Sequence, residues 1–254
     1  MTSYSDEMYE NHVFPHLFGL LTVWDVDGVE KPQGYTYSCF AIEHESHWFL
    51  TTAGHCLKQI DEYRDNPAVK LRFAKLVDCF RSDSQHKDLI PFSLPDQMVA
   101  SYVEDFLDVG CIPLNDLERD MLRANSIQEF KIGSCFIPQK RNFDFKFAIL
   151  VGLPDSDSKF EWDEFRAFEQ PWALQVFQLE SLNDSPRVTG TIDPPFPIVG
   201  MSGGPIVGFY EENGTLYSCP IAIQGSWLEN ENRIFAHRID NLASALLKTL
   251  ESAE

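Results

Sequence analysis

The sequence lacks the patterns of several large classes of protein. Its longest apolar stretch, at residues 147–153, is too short to cross a bilayer, so no membrane partner is expected. The first residues form neither a basic nor an apolar region, so no secretory signal is predicted and a cytoplasmic location is expected. No internal repeat, low-complexity tract or interdomain linker is found, which favours a single domain over residues 1–254.

Positive charge is scarce. The chain has 20 Lys and Arg residues against 39 Asp and Glu residues, which gives a formal net charge of −19 at pH 7. Because phosphate binding depends on Lys and Arg, nucleic acid is not an expected partner. The negative field would attract basic proteins or peptides, although solubility alone is the simpler explanation of the charge.

Paired cysteines are also missing. The six cysteines, at positions 39, 56, 79, 111, 135 and 219, include no C-x-x-C pair of the kind that binds zinc or carries out redox chemistry. Reduced, partly buried thiols are therefore expected. The segment from His44 to His47 lacks the H-E-x-x-H spacing of a zinc site, so no metal and no other cofactor is predicted.

Short apolar or alternating segments, separated by turn residues, make up most of the sequence. They are rich in Phe, Val, Ile and Tyr, as half-buried strands are. Many short strands with few helices predict an all-β sandwich or barrel. The predicted strands are His16–Trp24, Tyr35–Ile42, Trp48–Thr52, Val69–Phe80, Leu89–Ser93, Val99–Val103, Val109–Leu114, Lys146–Gly152, Ala173–Leu179, Pro205–Tyr210 and Leu216–Ile223.

Two helices are predicted. The first spans Leu114–Arg123 and has Leu117, Met121 and Leu122 on one side, with Asn115 or Asp116 available as its cap. The second lies at about residues 240–251, near the C-terminus, and carries a leucine stripe that would pack on a barrel.

The strongest functional signal is the segment G-M-S-G-G-P at residues 200–205, directly before an apolar run. Attack on an amide carbonyl needs a nucleophile beside backbone N–H groups that can face the developing oxyanion. Gly200 lets the chain bend so that its N–H and that of Ser202 point into one pocket. Ser202 is therefore the candidate nucleophile, and Gly200 and Ser202 form the candidate oxyanion hole. A plain glycine-rich turn is the alternative.

A base and a carboxylate would complete such a site. His55 lies in the segment T-T-A-G-H-C, which closes a predicted strand. Histidine can take the proton of a serine hydroxyl near neutral pH and return it to the leaving amine. A carboxylate must then hold the imidazole in the right tautomer. Asp108 fits best because the apolar strand Val109–Leu114 follows it and would bury it, and Glu104 and Asp105 are its rivals.

The order His55, Asp108, Ser202 resembles that of the chymotrypsin/trypsin superfamily of serine peptidases. T-T-A-G-H-C is similar to the family's T-A-A-H-C, D-V-G-C-I-P-L is similar to its D-I-A-L-L-x-L, and G-M-S-G-G-P matches its nucleophile loop. Residues 147–154 also resemble a V-x-G-[FY]-P strand of the bacterial HtrA and glutamyl-endopeptidase branches. The resemblance runs from about residue 16 to residue 250.

This resemblance implies a chymotrypsin-like fold of two antiparallel six-stranded β-barrels. The N-terminal barrel would span about residues 14–125 and the C-terminal barrel about residues 126–238, followed by the helix at 240–251. It also implies a stand-alone serine endopeptidase that cuts protein substrates through an acyl-enzyme intermediate. The alternative is a catalytically silent trypsin-like fold that acts as a protein-binding module.

The chain departs from the family at Met201, where zymogen-activated members have an aspartate. The resemblance therefore implies an enzyme that is not activated by insertion of a new N-terminus. Phe196, six positions before the nucleophile, corresponds to the base of the primary pocket and argues against trypsin-style recognition by an aspartate. Gln224, Gly225 and Ser226 are the candidate strand that pairs with an extended substrate.

Two further expectations follow from the resemblance. Cys39 and Cys56 are spaced like a pair that forms a disulfide in secreted relatives, but two thiols are favoured in a reducing compartment. A cytoplasmic protease without a pro-segment would need restraint. A regulatory or activating protein therefore joins the protein or peptide substrate as an expected partner.

Overall fold

Antiparallel strands account for most of the structure. The computed structural model describes residues 8–9, 12–77, 89–94, 100–102, 107–131, 145–155, 159–161, 166–168, 171–182, 186–239 and 242. The main elements in chain order are β1 (Leu17–Val26), β2 (Gln33–His44), β3 (His47–Thr52), α1 (Gly54–Asp65), β4 (Val69–Val77), β5 (Leu89–Phe92), β6 (Ala100–Tyr102), β7 (Val109–Leu114), α2 (Asp116–Ala124), β8 (Phe130–Lys131), β9 (Phe147–Gly152), β10 (Lys159–Glu161), β11 (Arg166–Phe168), β12 (Trp172–Ser181), β13 (Arg187–Thr191), β14 (Pro205–Glu212), β15 (Thr215–Leu228) and β16 (Arg233–Arg238). No helix within these residues has the length and apolar character needed to span a membrane.

The strands form two large units that follow one another along the chain. The first is an eight-stranded sheet in which β5, β4, β1, β2, β3, β7 and β6 lie side by side, while β8 pairs in parallel with β2. The second is a closed six-stranded barrel in the order β12, β13, β16, β15, β14, β9. Strands β10 and β11 form a separate two-stranded ribbon.

Three clusters of buried apolar side chains stabilise these units. One packs the first sheet against α1 and α2, and a second fills the barrel. The third, which we call the central cluster, joins the two units. It combines side chains of the first sheet with side chains of the barrel, among them Phe40, Ile42, Phe49, Ile149, Val207 and Phe209. Because it removes apolar surface of both units from water, the central cluster holds them together.

The all-β prediction is confirmed, and every predicted strand corresponds to an observed one. The sequence did not predict β8, β10, β11, β13, β16 or the helix α1. The N-terminal unit was expected to be a six-stranded barrel. Among the described residues it is an eight-stranded sheet, in which β8 adds to β2. The predicted helix at 240–251 lies outside the described residues except for Leu242.

Helix α2 shows how the local sequence sets an element boundary. The side chain of Asn115 accepts a hydrogen bond from the backbone N–H of Glu118 at 2.9 Å, and the side chain of Glu118 accepts one from the backbone N–H of Asn115 at 3.0 Å. This capping box satisfies two N–H groups that the helix itself leaves unpaired. The helix therefore begins at Asp116, two residues later than the predicted Leu114.

Candidate active site

His55 lies at the start of helix α1, directly after strand β3. Only Ala53, the N-cap of the helix, separates the two elements. The helix buries Cys56, Leu57 and Ile60, and these side chains anchor its first turns in the core. The side chain of His55 is 43% exposed. The fold therefore fixes the backbone of His55 while its imidazole remains accessible.

The carboxylate of Asp108 makes two contacts with His55. Its Oδ1 accepts the backbone N–H of His55 at 2.7 Å, and its Oδ2 lies 2.7 Å from Nδ1 of the imidazole. An Nδ1–H donor bound in this way leaves Nε2 as the nitrogen that can exchange a proton. The rival carboxylates, Glu104 and Asp105, lie outside the described residues.

The Asp108–His55 pair shifts the pKa of both groups. The hydrogen bond with Asp108 raises the pKa of His55 above its ordinary value of 6.5, a contact with Cys56 adds to this, and burial opposes it. Burial raises the pKa of Asp108, but the hydrogen bonds and charge of His55, with a contribution from His237, outweigh it and lower the pKa below 3.8. The pair therefore favours an imidazolium beside a carboxylate, which is the charge state formed when His55 accepts a proton.

Ser202, which lies in the second unit, is close to the Asp108–His55 pair. The thiol of Cys56 lies 3.6 Å from Nε2 of His55 and 3.9 Å from the carbonyl oxygen of Ser202, so the three residues meet around one point. The hydroxyl of Ser202 donates to the carbonyl oxygen of Gly225 at 3.4 Å. Among the described residues it makes no hydrogen bond to His55. Proton transfer between them needs Ser202 Oγ and His55 Nε2 to come within hydrogen-bond distance of each other.

The loop that carries Ser202 depends on glycines. Gly200 and Gly203 have φ angles of +93° and +90°, in the left-handed region that glycine tolerates best. A Cβ atom at Gly203 would lie 2.8 Å from the backbone nitrogen of Ala53 and would also collide with Thr52 Oγ1. The loop therefore approaches the start of helix α1 more closely than any side chain would allow.

Some backbone N–H groups of this loop are hydrogen-bonded and others are not. Met201 donates to Ile198 O at 3.1 Å, and Gly203 and Gly204 donate at 2.8 Å and 3.0 Å to other carbonyls. Within the described part of the chain, the N–H groups of Gly200 and Ser202 donate to no protein acceptor. The two predicted oxyanion donors are therefore the amides that remain available to a ligand.

The predicted pocket residue Phe196 lies in the segment that leads to this loop. Its ring packs edge-on against Trp172 of β12, with 4.5 Å between the ring centroids. Phe196 is partly buried and carries no charge. The aromatic contact fixes an apolar surface at the position predicted to form the base of the pocket.

The other predicted substrate-binding residues lie on β15. Gln224 is buried, and its carbonyl accepts a hydrogen bond from Gly203 at 2.8 Å, which ties the strand to the nucleophile loop. Gly225 forms a bulge in the pairing with β16, and Ser226 is exposed. Among the described strands, Ser226–Leu228 pairs only with β16, since the pairing with β14 ends at Ile223. One side of this segment is therefore available to an extended peptide.

Ser38 was not predicted as a site residue, although it contacts the nucleophile loop. It lies in β2 and is 1% exposed. Its hydroxyl donates to the carbonyl oxygen of Gly200 at 2.9 Å and accepts the backbone N–H of Leu153 at 2.8 Å. The signal in the sequence is a serine inside a run that is otherwise apolar, from Tyr37 to Ile42, but the run does not reveal which distant groups the serine contacts.

His237 of β16 was also not predicted, and it lies close to Asp108. A Cβ atom at Gly225 would be 2.9 Å from Asp108 Oδ2 and 3.5 Å from His237 Nε2. The missing side chain at Gly225 therefore leaves room for the imidazole beside the carboxylate. This proximity explains why His237 contributes to the lowered pKa of Asp108.

A metal centre has no candidate in the described residues. No group of three or more His, Cys, Asp or Glu side chains is arranged there to hold an ion. Cys39, Cys56, Cys111 and Cys219 are buried, and none of them forms a disulfide bond within the described residues.

No protein-family model and no curated protein matches the sequence. Similar solved structures include a thermostable serine protease from an extremophilic microorganism, with a TM-score of 0.49 and 15% identity over 88% of this chain and 91% of the other. The serine protease domain of the Sesbania mosaic virus polyprotein has a TM-score of 0.46 and 10% identity, over 89% of this chain and 90% of the other. A Glu endopeptidase has a TM-score of 0.46 and 12% identity, over 96% of this chain and 93% of the other.

The pKa shift of His55 can be tested without any assay of activity. In an NMR titration, the midpoint of His55 should lie above 6.5, its ordinary value, and should fall in Asp108→Asn because the negative charge is lost. The His55→Ala spectrum assigns the resonance. Asp116→Asn, which changes an exposed carboxylate of α2, is the matched control and should leave the midpoint in place. An unchanged midpoint in Asp108→Asn would contradict the pairing.

Proposed function

We propose that this protein is a serine endopeptidase of the trypsin-like kind, with Ser202 as nucleophile, His55 as general base and Asp108 as the residue that orients the base. The observation that carries this proposal is the double contact between Asp108 and His55 beside a loop that holds Ser202 next to two unpaired amides. Amide hydrolysis needs these three functions together with donors for an oxyanion.

In the proposed reaction, Ser202 Oγ attacks the carbonyl carbon of the scissile peptide bond while its proton passes to Nε2 of His55. Asp108 stabilises the imidazolium, and the N–H groups of Gly200 and Ser202 donate to the carbonyl oxygen as it becomes negative. Collapse of this intermediate breaks the C–N bond, and the amine leaves with the proton from His55. Water then attacks the acyl-enzyme ester with His55 again as base, releasing the carboxylate product and restoring Ser202.

The proposed substrate is an extended segment of a protein or peptide. The unpaired side of Ser226–Leu228 can accept such a segment as an added strand, close to the carbonyl of Gly225 that contacts Ser202. The apolar ring of Phe196 supports a primary pocket that does not select Lys or Arg through an acidic base. The net charge of −19 would attract basic substrates over longer distances, an effect that salt weakens.

A catalytically silent protein-binding module is the second candidate. It is favoured by the contacts of the two reacting groups, because Ser202 Oγ faces Gly225 and Nε2 of His55 faces the thiol of Cys56. A fluorophosphonate probe separates the two candidates, since it labels only a serine that is activated as a nucleophile. Labelling at Ser202 supports the peptidase. A well-folded protein that the probe does not label supports the binding module.

Removal of the nucleophile or the base should abolish activity. Ser202→Ala and His55→Ala should each lower kcat by several orders of magnitude, and the double variant should be little worse because the triad acts as a unit. Hydrolysis of a casein-type protein substrate and probe labelling provide the measurements. If turnover survives in Ser202→Ala, the peptidase proposal fails.

The assignment of Asp108 as the carboxylate that orients His55 leads to a separate prediction. Asp108→Asn should leave the fold nearly unchanged but reduce turnover by about 10⁴-fold, because the imidazole is then held in the wrong tautomer. Asp105→Asn, which changes a nearby acidic residue of the same type, is the matched control and should be close to neutral. A loss of turnover in Asp105→Asn with normal turnover in Asp108→Asn would show that the wrong acid has been chosen.

Met201 leads to a prediction about activation. Its side chain is fully buried and belongs to the apolar cluster of the barrel, so it offers no negative charge to a newly formed α-ammonium group. A buried ion pair needs both partners, since a single buried charge costs several kcal/mol. We therefore expect the chain to be competent without N-terminal trimming, or to be switched by a partner that orders its loops.

Intact-mass measurement of the probe-labelled protein tests this prediction. The labelled species should have the mass of the untrimmed chain plus the probe. The unlabelled fraction of the same sample is the internal control for proteolysis during preparation. If only a species truncated near residues 10–20 takes up the probe, the activation proposal is wrong and another acidic residue must receive the new N-terminus.

A further inference from the structure

The hydroxyl of Ser38 joins the first sheet to two segments of the second unit. It donates to Gly200 O at 2.9 Å and accepts from Leu153 N at 2.8 Å, so its donor and one acceptor position are both used. These partners lie 162 and 115 residues away in sequence. The backbone carbonyl of Ser38 accepts the hydroxyl of Thr52 at 2.9 Å, and a Cβ atom at Gly203 would lie only 2.5 Å from that carbonyl. Ser38 therefore touches the nucleophile loop on both sides of Ser202.

Hydrogen bonds to carbonyl groups fix the peptide planes of this loop. A trans peptide holds its C=O and N–H in one plane and in opposite directions, so a bound carbonyl also sets the direction of the N–H. Val199 O accepts from Asp155 N at 2.8 Å, which directs the N–H of Gly200 away from that segment. The next peptide is held at both ends, by Ser38 at Gly200 O and by Ile198 O at the N–H of Met201.

Gly200 is the residue at which this arrangement is most easily lost. Its φ angle of +93° is one of several conformations that a glycine can adopt at similar cost. The side chain of the next residue, Met201, is apolar and fully buried, so it cannot anchor the loop through a charge. Polar groups select one conformation here: the N–H of Asp155 holds the peptide before Gly200, and the hydroxyl of Ser38 holds the peptide after it.

We propose that Ser38 is a positioning residue for the oxyanion hole: its hydrogen bond to the Gly200 carbonyl fixes the Gly200–Met201 peptide, and because this peptide lies between the two donor peptides, it keeps the N–H groups of Gly200 and Ser202 directed at the reacting carbonyl. This role rests on the proposed peptidase function. Because Ser38 belongs to the sheet that also carries His55 and Asp108, the same bond sets the loop relative to the base. Loss of the bond should therefore affect the chemical step more than substrate binding.

The test compares Ser38→Ala with a matched control in the barrel. Thr189 is also a buried strand residue whose hydroxyl donates to a backbone carbonyl, that of Ile234 at 2.9 Å, but it lies on β13 and makes no such bond to the loop. Ser38→Ala should lower kcat and the rate of fluorophosphonate labelling by about 10- to 100-fold, with KM within about threefold, since an oxyanion hole acts on the transition state. Thr189→Val should keep kcat close to that of the unaltered protein.

Two kinetic outcomes would overturn the proposal. One is a normal kcat in Ser38→Ala, and the other is an equal loss of kcat in Thr189→Val. If Ser38→Ala does not fold, Ser38→Cys replaces it, because a thiol fills nearly the same volume but is a weak donor. Ser38→Cys should also lower kcat.

Hydrogen exchange provides a readout that does not need catalysis. The N–H groups of Met201, Gly203 and Gly204 are bonded within the loop region and should exchange at least about tenfold faster in Ser38→Ala than in Thr189→Val. If the unaltered protein does not react with the probe, the peptidase proposal fails, while faster exchange would still show that Ser38 orders the loop. Unchanged exchange would refute the role of Ser38 whatever the activity.

Discussion

The packing of the eight-stranded sheet against the barrel is the constraint on which the candidate site depends. His55 and Asp108 lie directly beside strands of the first sheet, after β3 and before β7, whereas Ser202 lies in the loop that leads into β14 of the barrel. Their relative positions are therefore set by the central cluster, which buries aromatic and aliphatic side chains of both units. Close packing of this kind transmits small displacements, so a change of volume in the cluster would move the nucleophile relative to the base.

Polar contacts determine the exact relative position of the two units, which the apolar packing sets only approximately. The hydrophobic effect has no direction, but a hydrogen bond has a strict geometry. Around the site these bonds cross the boundary between the units, from Ser38 to Gly200 and from Cys56 toward the Ser202 carbonyl. The glycines of the loop allow the two backbones to approach closely enough for such bonds to form. Apolar burial thus supplies most of the association, and a few buried polar groups select one geometry.

The sequence predicted the features that depend on neighbours along the chain. Strand periodicity located the major strands, and three short motifs identified His55, Asp108 and Ser202 as candidates for one site.

The sequence analysis missed β13 because a glycine inside a strand is an unfavourable signal. Gly190 is required there, since a Cβ atom would lie 2.5 Å from Val176 Cγ1. It missed α1 because the N-cap, Ala53, makes no side-chain capping bond. The partners of Ser38 and His237 come from distant segments, and no local pattern could reveal them.

The division of the site between two units also has a consequence for biosynthesis. A chain made only as far as Gly152 contains His55 and Asp108, but it has neither the nucleophile nor the strands β12 and β14 that flank β9 in the barrel. Contacts of such long sequence separation form late in folding because the intervening loop must first be closed. For a peptidase, this order means that a nascent chain cannot cut itself or its neighbours on the ribosome. Under the proposed function, the site is complete only after β14, β15 and β16 have joined the barrel.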